Sequence, residues 1–198
     1  MCEKEVLKRI NYFYGKNKPP HEPKYKRQQQ MIQDARSLYG ARGESIQTEL
    51  SQLLKGYAIA NLTDWNYETC FRFKILLHPN VPYTIEGKAA AIQLVRQLGG
   101  KADFLLLEIS AMGPYYEYDF SRRFYDETTQ DVIAEVSESP FSIDHEGLLK
   151  TVVGYCGRKG LKRLEQELLD RVVPGIALDL AEEGEVTIYN CLFADTYH

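Results

Sequence analysis

No apolar run in the chain approaches the ~20 residues needed to cross a bilayer; the longest, such as Phe104 to Leu107, spans a few positions. No membrane span is expected. The amino terminus, Met1-Cys2-Glu3-Lys4-Glu5, carries mixed charge and has no apolar signal region followed by small residues, so a cleaved leader is not expected and the cytoplasm is the expected compartment. Cysteine is sparse and scattered. Cys2, Cys70, Cys156 and Cys191 include no CxxC pair, which argues against a zinc ribbon or a disulfide framework and for buried, reduced thiols acting as small hydrophobes.

Histidine is equally thin. His21, His78, His145 and His198 lie far apart, with none at the i, i+3 or i+4 spacing of a helical metal site, so neither a metal nor another cofactor is expected. The sequence also lacks GxxxxGK[ST], GxSxG and HExxH, and it has no GxGxxG opening a helix after a strand. The glycine-rich, basic stretch Gly154 to Gly160 follows an apolar helical stripe rather than preceding one, so its glycines read as a helix stop. Asp144-His145-Glu146 sets an acid beside a base, but neighbouring residues on a helix do not face each other, and the same residues suit a capped first turn. These absences favour a non-enzymatic protein.

What is present is an ordinary globular balance, 44% hydrophobic and 26% charged residues, in a chain of 198 residues long enough for one core with an appendage. Tyrosine is abundant, 14 against one tryptophan, which supplies rings either to the core boundary or to a contact surface. Charge is divided: residues 1–60 hold 11 basic and 6 acidic side chains, and the remainder holds 13 and 22, within a net charge of −4. The acidic part suits a cationic partner. The net charge argues against a dedicated nucleic-acid binder, although Lys24-Tyr25-Lys26-Arg27 mixes basic and aromatic residues.

Periodicity predicts a helical appendage over 1–60 and a main domain over 61–198. Three short helices are expected in the first: Val6, Leu7, Ile10, Phe13 and Tyr14; a narrow stripe from Tyr25 to Tyr39 stopped by Gly40; and Ile46, Leu50, Leu53, Leu54 and Tyr57. Their thin stripes must be covered by each other, by the main domain, or through self-association. In the main domain Phe71, Phe73, Ile75 and Leu77 alternate as a half-buried strand. A helix capped by Thr84, bearing Ile85, Ala89, Ile92 and Leu98, ends at Gly99-Gly100. The doubly apolar run Phe104 to Ile109 reads as a central strand, followed by antiparallel partners at Tyr115–Phe124 and Val132–Val136. A helix capped by Ser142 or Asp144 buries Leu148, Leu149, Val152, Val153 and Cys156. Another carries Leu161, Leu164, Leu168 and Val172, and Ala177–Leu180 with Val186–Phe193 forms a terminal hairpin. The class expected is α+β, with a mainly antiparallel sheet of about five to six strands packed with helices behind an N-terminal helical segment.

Two functional readings follow. The first is a protein-binding protein, in its most concrete form a bacterial immunity or adaptor protein, that covers a basic partner with Tyr115, Glu117, Asp119, Asp126, Glu127 and Asp131. The second is a small-ligand protein or enzyme with a pocket between sheet and helices. Glu108 interrupts the apolar strand and needs a cation, with Arg72, Lys74, Arg122 and Arg123 as candidates; Glu108, Arg122 and Arg123 form the expected ligand set.

Overall fold

The alternation that begins at Cys70 folds into the second of six strands in a computed structural model, which describes residues 3–14, 30, 33–34, 39–66, 68–83, 87–181 and 184–195. Strands β1 (Ile59–Asn61), β2 (Cys70–Leu76), β3 (Lys101–Ser110), β4 (Tyr115–Asp126) and β5 (Asp131–Ser137) lie in that spatial order, each antiparallel to its neighbour. A two-residue strand, β6 (Lys162–Arg163), runs parallel to the start of β4. Helices are α1 (Glu3–Phe13), α2 (Tyr39–Leu53), α3 (Gly87–Gln97), α4 (Asp144–Arg158), α5 (Gln166–Leu169) and α6 (Ile188–Leu192). The fold is α+β. No helix among the described residues is long and apolar enough to cross a membrane.

The two sheet faces are used differently. On one, Phe71, Phe73, Ile75, Leu105, Leu107, Ile109, Tyr116, Tyr118 and Phe120 make a continuous apolar surface covered by Leu50 and Leu54 of the α2 region and by Leu148, Val152, Tyr155 and Cys156 of α4. On the other, two apolar blocks stand apart. Leu76, Ala102 and Phe104 pack under Leu94 and Val95 of α3. Cys70, Met112 and Tyr115 pack with Val6, Ile10 and Phe13 of α1 and with Cys191, Leu192 and Phe193 near the carboxyl end. Alternation on β2, β3 and β4 leaves Arg72, Lys74, Glu108, Glu117 and Asp119 on the floor between these blocks.

Helix α1 therefore covers its stripe against the body of the protein. Tyr14 donates its hydroxyl to the Cys191 carbonyl at 2.8 Å, and Arg9 Nε donates to the Met112 carbonyl at 2.6 Å. Cys70, Cys156 and Cys191 are buried free thiols.

Several expected elements differ. Helix α2 runs through Gly40, so that glycine is no stop; most of the stripe from Tyr25 to Tyr39, and the Thr84 cap, lie outside the described residues. In α3 the buried positions are Leu94 and Val95, while Ala89 is exposed. In α4 the stripe narrows to Leu148, Val152, Tyr155 and Cys156, and Val153 is exposed; Ile143 occupies the cap, with Ser142 Oγ accepting from the Asp144 N–H at 3.3 Å. The helix expected from Leu161 to Val172 is split. Pairing with β4 captures Lys162 and Arg163 as β6, with the Lys162 N–H donating to the Pro114 carbonyl at 2.9 Å, and only the single turn α5 remains.

In place of the terminal hairpin, the described residues show Val172 bridged to Thr187, followed by α6. Thr187 starts that helix through a reciprocal cap. Its Oγ1 accepts from the Asn190 N–H at 3.2 Å, and Asn190 Oδ1 accepts from the Thr187 N–H at 2.9 Å.

Candidate functional site: a cationic pocket beside a charged band

The floor between the two apolar blocks carries a row of charges set by strand register. Arg72 lies opposite Glu108, Glu108 opposite Glu117, and Arg163 is paired one residue away on β6. Two carboxylates facing each other across neighbouring strands repel. Here each leans on an outer arginine: Arg72 Nε donates to Glu108 Oε1 at 2.7 Å, and Arg163 Nε donates to Glu117 Oε1 at 2.7 Å. Tyr189, delivered by α6, donates to Glu108 Oε2 at 2.9 Å, and Arg72 also pairs with Glu68. Arg163 stacks over the Tyr118 ring at 3.9 Å. Burial pushes the Glu68, Glu117 and Asp119 carboxyls above the usual range, the arginines offsetting part of that shift.

Next to this band the chemistry changes sign. Lys74 of β2 and Arg123 of β4 are diagonal neighbours of Phe104 on opposite sides of it, on the same sheet face. Lys74 Nζ stands 4.2 Å from the Phe104 ring centroid and the Arg123 guanidinium carbon 5.7 Å from it. Among the described residues neither makes an ion pair or a side-chain hydrogen bond; Asp119, beyond Leu106 in the Lys74 row, makes none with the amine. Burial, and then the Arg123 charge, pushes the Lys74 amine down to about 8.

Both cations line a half-open pocket of about 400 Å³ between the sheet and α3, walled by Leu62, Tyr83, Leu94 and Phe104. Its size falls in the range of small-molecule sites. Tyr83 meets Phe104 ring to ring at 5.3 Å, and burial pushes its hydroxyl above the ordinary phenol value, so the group stays a donor at neutral pH.

The magnitudes bear on what this arrangement is for. Burying an unpaired ammonium costs several kcal/mol even after relaxation, whereas a ring contact returns about 0.5 to 2 kcal/mol. Lys74, only 6% exposed, is thus a net cost to the fold. Methionine or leucine would fill the position at no such cost, and a local rule broken without compensation is a mark of a binding or reactive site.

The residues expected to form a partner surface are dispersed. Tyr115 is buried in the α1 block, Glu117 is buried in its pair with Arg163, and Asp119 is half-buried. At the far end of β4, Asp126 closes its own turn, accepting from the Thr128 N–H and the Thr129 hydroxyl. Glu127 is exposed there, and Asp131 pairs with Lys88 at 2.7 Å.

The expected ligand set is divided as well. Glu108 takes Arg72 and Tyr189, while Arg122, on the opposite sheet face, holds Asp103 in a two-pronged pair at 2.7 and 2.9 Å. Only Arg123 reaches the pocket. The sequence points to Lys74 only as a partner for Glu108; its alternation with Phe73 and Ile75 is visible there, but the cover over its own face is not. Among the described residues no group of three or more histidine, cysteine, aspartate or glutamate side chains could hold a metal ion.

Compared with protein-family models, with curated proteins and with solved structures, the chain has no match. The functional reading therefore rests on the side chains themselves.

Proposed function

We propose that this protein binds a small organic anion in the pocket between the sheet and α3, with Lys74 and Arg123 as the two cationic contacts and Phe104, Tyr83 and Leu94 receiving an apolar or aromatic body. The observation that carries this reading is the pair of cations over one ring, neither with a carboxylate partner among the described residues. An anion placed there offsets the desolvation of Lys74 and its repulsion from Arg123 through charge-assisted contacts to both cations. Phenyl phosphate and phenyllactate are suitable probes. Calorimetric titration of either is expected to give binding that weakens at least tenfold in Lys74→Met and in Arg123→Gln, and that falls with salt. Binding unaffected by both substitutions, or absent for both probes, would remove the proposal.

A second reading, recognition of a basic protein, is favoured by a sheet edge that has no partner strand among the described residues. β5 ends the strand order, its Glu135 and Val136 are exposed, Val136 by 67%, and Glu138 follows beyond it. An extended cationic segment could add there as a further strand, with acidic side chains selecting its charge. An immunity or adaptor role would be one form of this. The test is a partner recovered from native extract at moderate salt and lost from both Val136→Pro and Glu135→Lys; retention by both variants would exclude the edge.

A further inference from the structure

We infer that Lys74 forms an imine with a carbonyl compound bearing an anionic group, its Nζ joining the carbonyl carbon while Arg123 holds the anion. This rests on the proposed anion pocket and specifies the class of molecule that enters it.

Three features support the assignment. Lys74 is a primary amine held mid-strand between the buried Phe73 and Ile75, so its stem is fixed and its head is delivered to one place, above Phe104. It has no ion-pair partner among the described residues, which leaves the nitrogen lone pair unengaged once the proton is lost. Arg123 approaches the same ring from the other flank, so a molecule lying over Phe104 meets the amine at one end and the guanidinium at the other. A lysine desolvated beside a second cation is a recognised way to activate an amine. With the amine pushed down to about 8, about one molecule in ten carries it neutral at pH 7, against about one in three thousand for an ordinary lysine.

The step balances without a further reagent. The neutral amine adds to the carbonyl carbon, forming the C–N bond, and the C=O π pair moves to oxygen, which takes up one of the two protons of the nitrogen to give the neutral carbinolamine. The carbinolamine then loses its hydroxyl and a proton as water while the nitrogen lone pair closes the C=N bond. Nothing is oxidised or reduced, and the apolar walls at Leu94 and Phe104 favour loss of water.

The experiment treats the whole protein with phenylpyruvate and then sodium borohydride, and maps the reduced adduct by mass spectrometry of peptides. The expected result is a single adduct at Lys74, lost in Lys74→Met, suppressed by excess phenyllactate, which lacks the ketone, and formed at a rate that rises with pH through about 8. Suppression by phenyllactate tests the wild type, so a variant that fails to fold does not obscure the outcome. Calorimetric binding of phenyllactate without any adduct at Lys74 would overturn the imine and leave the anion pocket standing. Neither binding nor adduct would overturn both, and labelling spread over surface lysines, indifferent to phenyllactate, would overturn the imine.

Discussion

Lys74 Nζ lies 4.2 Å from the centre of the Phe104 ring, buried in the sheet interior and without an ion pair to any carboxylate among the described residues. A contact of this kind is favourable by itself and too weak to offset the desolvation of an ammonium. The position is held at the expense of stability.

Lys74→Met is expected to stabilise the protein at pH 7 by about 1 to 3 kcal/mol, because it keeps the linear side chain and removes the buried charge. The sign follows from proton binding. Between about 8 and the ordinary value of 10.5 the unfolded chain holds a proton that the folded chain has lost, so wild-type stability gains from rising pH in that window and loses it as pH falls through it. Urea unfolding at pH 7, 8 and 10 should show the difference between variant and wild type shrinking as pH rises; a constant difference would count against the depressed amine.

Arg72 serves two buried carboxylates, Glu108 and Glu68, so its loss strands negative charge. Arg72→Met is expected to cost about 3 kcal/mol or more. Adding Glu108→Gln should recover part of this, since the charge left without a partner is removed while Tyr189 keeps an acceptor. A double variant no more stable than the single one in denaturant titration would argue against the pairing.

The acid side is governed elsewhere. His78 Nε2 accepts from the Asp103 N–H at 3.1 Å, and burial pushes both His78 and His145 below the usual imidazole value. Their neutral forms fit the fold, so stability is full above about 6.5 and is lost as pH falls below it, where the unfolded chain takes up protons first. Replacing both by glutamine should flatten the melting temperature between pH 7 and 5. Asp103 adds a later loss: although burial opposes it, Arg122 holds its carboxyl below the ordinary value, so this contribution declines only in stronger acid.

The elements legible in sequence were those in which one signal dominated. Phe104 to Ile109 is apolar on both faces and is the central strand; Phe71 to Leu77 alternates and is its neighbour. Ile188 to Leu192 reads as a strand because Ile188, Tyr189, Cys191 and Leu192 all suit one, and the deciding feature is Asn190, standing where glutamate or glutamine usually completes the cap with Thr187. Lys162 and Arg163 follow a helical stripe in sequence but are taken by the open edge of β4, a tertiary contact with no local trace. The pocket depends on register. Lys74 and Arg123 are 49 positions apart, and they meet only because Phe104 sits between their strands at one particular alignment.

The Thr187 cap provides a further check on the carboxyl end. Thr187→Ala should cost about 1 kcal/mol and loosen the Tyr189 hydroxyl from Glu108, whereas Thr187→Ser should be close to neutral. Equal losses for both would show that the hydroxyl is not what starts α6.

The most direct measurement is the titration of the Lys74 amine by NMR in the whole protein, with and without phenyl phosphate. A midpoint near 8 that climbs when the anion is added is the result expected of a buried cation that has no carboxylate partner among the described residues. A midpoint at the ordinary lysine value, unmoved by the anion, would mean that water or some other partner already satisfies this amine, and the anion site would have no basis.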